Sequence, residues 1–146
     1  MRKVLIFAAL MAAPAPLAAA DWRVVSVDED SGMGAAIAFV DIDSVTRAGD
    51  GNVAFTMEVR FSRPPEPNWD GLRATMRADC AGHRWESTGS MLLAGNEIVT
   101  RSGPTPMEQA TRDTNAWTVI DGVCAGRYQS DSVEPVAHAR GAFGGR

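Results

Sequence analysis

Cys80 and Cys124 are the residues of this 146-residue chain best placed for covalent chemistry, and they are its only two cysteines. A pair of cysteines closes one disulfide where the compartment is oxidising, and otherwise serves as a metal or redox site. For a metal, His83 stands three residues after Cys80, but the other histidine, His138, lies near the far end of the chain. That leaves a tetrahedral site short of ligands. A redox-active thiol is the remaining alternative, although no Cys-x-x-Cys motif is present. Asp41 and Asp43 would share one face of a strand, as a paired-carboxylate acid/base site requires, yet no nucleophile lies nearby in sequence. Asp43 also precedes Ser44-Val45-Thr46-Arg47, where a carboxylate would cap a helical turn. Asp28-Glu29-Asp30-Ser31-Gly32 resembles the start of a calcium loop, but the twelfth position is Phe39 rather than a bidentate glutamate. A hairpin turn is the simpler reading. Ser87 and Ser90 lack a nucleophile elbow, and there is no glycine-rich phosphate loop. No catalytic constellation and no cofactor site emerge.

Compartment decides among the cysteine alternatives. Arg2 and Lys3 precede an apolar stretch from Val4 to Ala13 that is too short to span a bilayer, and Leu17-Ala18-Ala19-Ala20 forms a small-residue cleavage site. Residues 1–20 therefore read as a signal peptide, with Asp21 as the new N-terminus. The expected location is periplasmic or secreted, without a lipid anchor, because no cysteine follows the cleavage region, and without a membrane span. Removing Arg2 and Lys3 from 14 basic residues leaves 12 arginines against 18 acids, a net charge of −6. Nucleic-acid binding needs clustered positive charge to release counterions, so that partner is not expected. Export favours the disulfide.

The elements that must bring the cysteines together follow from periodicity. Short β-type runs are expected over Trp22–Val27 and Ala35–Ile42. Val53, Phe55, Met57, Val59 and Phe61 alternate with Ala54, Thr56, Glu58 and Arg60, the signature of a strand with one buried and one wet face. After the proline-rich loop Arg63-Pro64-Pro65-Glu66-Pro67, Leu72, Ala74, Met76, Ala78 and Cys80 share a second apolar face. If Ala81-Gly82 turn a hairpin, residues whose numbers sum to 163 pair: Asp79 with Arg84, Arg77 with Glu86, and Ala78 with Trp85. Charge and apolar patterns then choose the same parity, and a longer loop of matching parity would preserve it. The strand from His83 runs to Leu93 with a bulge at Gly89, and a sixth run covers Glu97–Arg101. Thr105-Pro106-Met107-Glu108 has the form of a capping box, so a short helical turn is expected there. A helix over Thr114–Cys124, capped by Asp113 or Thr114, presents Trp117, Ile120, Val123 and Cys124 on one face, although Gly122 weakens it by roughly 1 kcal/mol. Residues 127–146 lack an apolar period and read as a disordered tail. The fold class is α+β: an antiparallel sheet of about six strands, with one C-terminal helix stapled to it by Cys80–Cys124 in a single domain over residues 21–126.

Several of these residues carry a resemblance. The Trp22-led strand, Val40-Asp41-Ile42-Asp43-Ser44-Val45, Arg47 with Gly49, the Asp79-Cys80 strand end, Ser102-Gly103-Pro104 and a helix ending in Val123-Cys124 stand in the order found in the bacterial surface-adhesin protein E family. Over Trp22–Cys124 the chain resembles that family. The resemblance implies a six-stranded antiparallel sheet with a C-terminal helix tethered to its concave side. It also implies the work of the lipid-anchored outer-membrane adhesin that names the family, which binds host matrix and serum proteins and can dimerise. Here the lipid-anchor cysteine is lacking and Val40 replaces an aromatic residue.

The function expected is an exported, non-catalytic binding module for an envelope or host protein, able to form a homodimer. The expected contacts are Arg63, Pro64, Pro65 and Trp69 of the proline-rich loop, and Arg73, Arg77, Arg84 and Glu86 of the polar sheet face. Trp69 could instead fold back over the core edge. The alternatives are a small-ligand carrier or enzyme using a cleft between helix and sheet under Trp85 and Trp117, or a structural subunit that dimerises through a sheet edge.

Overall fold

The computed structural model describes residues 19–64 and 66–144. Most of the expected signal peptide, together with Pro65, lies outside them. Strands β1 (Trp22–Asp28), β2 (Ala36–Arg47), β3 (Asn52–Phe61), β4 (Gly71–Asp79), β5 (Arg84–Ala94) and β6 (Glu97–Ser102) form an antiparallel meander in sequence order. A two-residue strand, β7 (Glu108–Gln109), pairs with the start of β5. Two helices follow, α1 (Asn115–Ala125) and α2 (Pro135–Gly144).

The β4–β5 register is the one expected from charge and apolar pattern: Asp79 opposite Arg84, Ala78 opposite Trp85, and Arg77 opposite Glu86. The loop is the longer one of matching parity, Cys80 to His83. Asp79 Oδ1 accepts from the Ala81 and Gly82 N–H groups at 3.1 Å each, and His83 takes a positive φ of 49° to close it. The register shifts between Thr75 and Met76, which leaves Thr88 as the extra residue beside Gly89.

One face of the sheet carries the larger core. Val53, Phe55, Met57, Ala74, Met76 and Ala78 pack there against Val119, Ile120 and Val123 of α1, each of the three helix residues fully buried. A bulge between Val24 and Ser26 turns Val25 to this side. Gly122 explains itself against that residue: a Cβ at Gly122 would stand 2.6 Å from Val25 Cγ2, so the glycine that weakens the helix lets it lie close on β1. Thr114 is the N-cap, its Oγ1 accepting from the Trp117 N–H, and Gly126 closes the helix in the left-handed conformation at φ 65°. Cys80 and Cys124 form the expected disulfide, joining the end of α1 to the β4–β5 loop. Arg47 donates to the Cys124 and Val123 carbonyls at the same helix end.

Four expectations need correction. The chain after residue 126 is ordered through residue 144 and adds a second helix. The Gln129 and Val133 N–H groups donate to Val24 and Trp22 carbonyls on the outer edge of β1, and α2 then lies on the second face of the sheet. Its apolar side is small and sparse, chiefly Pro135, Ala139 and Phe143, and the Glu134 carboxylate caps its first turn by accepting from the Val136 and Ala137 N–H groups. Beneath it lie Trp22, Val24, Ile37 and Phe39, and His138 stands edge-on to Phe39. As a consequence, the wet face assigned to β3 is not wet at its end: Glu58 is fully buried and Arg60 is 2% exposed. The helical turn at Asp43 is a bulge in β2 instead, with Asp41 accepting from the Asp43 N–H and Ser44 Oγ accepting from the Thr56 N–H. The capping box at Thr105 does not start a helix. Thr105 Oγ1 accepts from the Ser87 N–H on β5, and the chain continues along that edge as β7.

Candidate functional site

The two helices cover the sheet unequally. On the second face α2 packs against β3 over the end that carries Glu58 and Arg60; the same face of β4, β5 and β6 is exposed at Thr75, Arg77, Ile98 and Arg101, while Leu93 on that face stays 1% exposed. Strand register sets out what that open half presents. One row crosses the strands as Phe39, Glu58, Arg73, Met91 and Arg101, passing from fully buried under α2 to exposed at the sheet edge. Thr75, Arg77 and Thr88 are exposed further along β4 and β5, and Arg84 is exposed near the hairpin. Ile98, paired with Leu93, is 46% exposed on β6. Four arginines and two aliphatic side chains thus gather on one surface of an acidic chain.

The expected contact residues do not form one site. Arg73 and Arg77 are four residues apart on a strand, about 13 Å, and the proline-rich loop joins β4 at the end remote from Arg77 and Arg84. In that loop Arg63 is exposed, Pro64 is half-buried, and Trp69 folds back edge-to-face on Phe61 at 5.9 Å between ring centres. Pro65 is outside the described residues. Arg73 is engaged inward. Its Nε and Nη2 donate to Glu58 Oε2 at 2.8 and 2.6 Å, and its guanidinium lies over the Trp22 ring at 5.2 Å. Arg77 pairs with Glu86 at 2.5 Å, and Arg84 pairs with Asp79 at 2.6 Å. The hydrogen bond from Arg84, followed by that from the Gly82 N–H, holds the Asp79 carboxyl below the usual aspartate value. Arg101 has no ion-pair partner among the described residues. Met91, Ile98 and Arg101 went unnoticed as site residues in the sequence. The signal was there in the alternation of Glu97 to Arg101, but which face it served depended on where α2 lay.

The sheet edges are guarded. Segment 129–133 covers β1, as described above. The outer edge of β6 is unpaired among the described residues, but a register shift between Leu92 and Leu93 makes Val99 a bulge, and Pro104 and Pro106 follow. The bulge puts Glu97, opposite Ala94, and Arg101, opposite Met91, on different faces of the sheet. Two copies paired antiparallel along β6 would therefore not bring those charges together. Such bulges, prolines and charges are the usual protection of an edge against strand addition.

The groups singled out for chemistry are dispersed. His83 stacks on Trp117 at 3.7 Å, and its Nε2 lies 3.6 Å from Asp121. Ser87 is buried, its Oγ donating to the Gly89 carbonyl at 3.0 Å. Among the described residues no three His, Cys, Asp or Glu side chains gather to hold a metal, and no helix is long and apolar enough to cross a membrane.

No family model and no curated protein matches the chain. Among solved structures, one of Haemophilus influenzae protein E aligns at a TM-score of 0.49 and 18% identity, over 83% of this chain and 96% of that one. The fold is similar to that of protein E. A second crystal form of protein E gives 0.49 at 16% identity over 71% and 88%. Protein E from non-typeable Haemophilus influenzae gives 0.45 at 15% identity over 92% and 95%.

Proposed function

We propose that the chain is an exported, non-catalytic binding module that meets an envelope or host protein at the open half of the sheet, the β4–β6 surface around Arg77 and Arg101. One observation carries this reading: the second face is covered by α2 over Glu58 and Arg60 and becomes exposed beyond Leu93, at Thr75 and Arg77 of β4 and Ile98 and Arg101 of β6. Polar surface rimmed by arginine suits a protein interface, in which arginine is enriched relative to lysine, and this chain has no lysine beyond Lys3. Because Arg73, Arg77 and Arg84 are paired with Glu58, Glu86 and Asp79, the charge left for a partner is that of Arg101, which would meet a carboxylate on that protein. The disulfide and the basic-apolar N-terminal stretch support export, and the dispersal of His83, Ser87 and Asp41 supports a non-catalytic role. Between α1 and the sheet the buried Val119, Ile120 and Val123 support packing there in preference to a ligand, which favours the module over the carrier. Edge-to-edge dimerisation is the arrangement that the β6 bulge opposes.

The test is capture of partners from envelope extracts by the protein and by its Arg77→Glu/Arg101→Glu variant, with circular dichroism as the folding control. A protein captured by the wild type and lost by the folded variant supports the reading. Equal capture, or none by either, overturns it.

A further inference from the structure

The two helices are fastened to the sheet in different ways. α1 is held by the Cys80–Cys124 disulfide, by Arg47 donating to its last carbonyls, and by the Ser26 hydroxyl donating to Asn115 Oδ1 in its first turn. α2 has no such bond. Among the described residues no hydrogen bond or ion pair runs from residues 135–144 to the sheet: the last backbone tie is the Val133 N–H to the Trp22 carbonyl, and the Glu134 carboxylate caps the helix itself. What holds α2 is apolar contact through Pro135, Ala139 and Phe143, together with the His138 ring edge-on to Phe39 at 5.7 Å. A ten-residue helix with Gly141 inside it is marginal without its neighbours. Contact so sparse marks a part of the fold that opens before the rest.

The surface beneath α2 offers more than the helix fills. Trp22, Val24, Ile37 and Phe39 form an apolar floor, each at most 9% exposed with the helix in place. A cavity of about 170 Å³ is left beside it, lined from the helix by Val136, Ala139 and Phe143 and from the sheet side by Arg60 and Asp70. A void of about 150 Å³ holds benzene, so the methyl group of Ala139 leaves room for a larger side chain. Pro135, Ala139 and Phe143 stand four residues apart, the spacing with which an amphipathic helix lays its apolar side into a groove. The middle position is the underfilled one.

We propose that the groove beneath α2 is a docking site for an amphipathic helix of another protein, with apolar side chains at i, i+4 and i+8 and the middle one larger than alanine, and that α2 is its displaceable cover. Because α2 is tethered, it competes at a high effective concentration, and the incoming helix must fill what Ala139 leaves empty. This groove lies on the covered half of the second face and does not depend on the partner reading above.

Native-state hydrogen exchange of the full chain tests the cover. Amides of residues 139–144 should exchange about a hundred-fold or more faster than those of Ile120 and Val123 in α1. A synthetic peptide of residues 133–144 carrying Ala139→Leu is the probe of the groove, titrated into the full chain and followed by protein-detected NMR. It should give saturable shifts at Trp22, Ile37 and Phe39 and bind several-fold tighter than the same peptide with alanine retained. It should also bind a Phe143→Ala variant of the chain about ten-fold tighter than the wild type, because the cover is loosened. If Phe143→Ala fails to fold, the exchange measurement and the two peptides on the wild type carry the test. Equal protection of the two helices overturns the inference. So does the absence of saturable shifts, equal affinity of the two peptides, or equal affinity for folded Phe143→Ala and wild type.

Discussion

Removal of the disulfide tests whether α1 is held by its covalent tether or by packing alone. In a Cys80→Ala/Cys124→Ala variant the unfolded chain regains the freedom lost by joining residues 44 apart in sequence. The chain-entropy relation gives about 13 cal/mol/K for a loop of that length, or about 4 kcal/mol at 25 °C. Unfolding entropy near 2.1 cal/mol/K per residue gives about 0.26 kcal/mol/K for a folded unit of this size, so the loss translates into a fall in Tm of about 15 °C. The native fold should survive, because Val119, Ile120 and Val123 stay buried and Arg47 still donates to the last carbonyls of the helix. Scanning calorimetry of the oxidised wild type and the variant measures the shift directly. A fall of less than about 5 °C would refute the reasoning, since packing alone would then be holding a helix that is marginal in isolation.

Three further outcomes follow from named contacts. Arg60→Met leaves Asp70 without its charged partner and Glu58 with Arg73 alone, and should cost about 3 kcal/mol by urea unfolding; a change below about 1 kcal/mol would show that the buried pair adds nothing. Gly122→Ala gains up to about 1 kcal/mol of helix propensity but drives a methyl into Val25, an overpacking cost of about 1–3 kcal/mol. The variant should therefore be less stable by thermal denaturation, and a rise in Tm would mean that Val25 moves aside freely. Because the Asp79 carboxyl titrates below its ordinary value of 3.8, its bonds to Arg84 and Gly82 contribute stability that is fully present above that value and is lost as pH falls through the lowered one. Asp79→Asn should accordingly flatten the acid limb of Tm against pH, and an unchanged limb would remove Asp79 from the account.

Most of the sheet was legible because its alternation is regular and two cross-strand charge pairs agree with it. Arg77 with Glu86 and Asp79 with Arg84 fixed the parity that placed Cys80 beside the core, and α1 announced itself through Trp117, Ile120 and Val123. The misreadings of the tail and of the β3 face share one origin. Helix α2 offers Pro135, Ala139 and Phe143 four residues apart, a helical spacing carried by small side chains among glycine and arginine, too little apolar surface to stand out from a solvated tail. With α2 unseen, Glu58 and Arg60 had no cover and were assigned to solvent, and the open half of the sheet could not be told from the covered half. The capping box failed for a different reason. The Thr105 hydroxyl found a strand N–H at Ser87, a tertiary partner that local pattern does not reveal. Arg73, Arg77, Arg84 and Glu86 were placed on the correct face, but the ion pairs that occupy them depend on neighbours across the sheet.

The central claim is that a partner meets the chain on the open β4–β6 surface, and a site-specific crosslinking map tests it most directly. A photoreactive side chain is placed in turn at Thr75, Thr88 and Ile98 on or beside the open half, and at Thr118 and Ala125 on α1, all five exposed. The protein is then irradiated in intact envelopes. The account predicts one protein adduct of common mass from Thr75, Thr88 and Ile98 and none from the α1 positions. Adducts from α1 alone, or from all five positions alike, would contradict it.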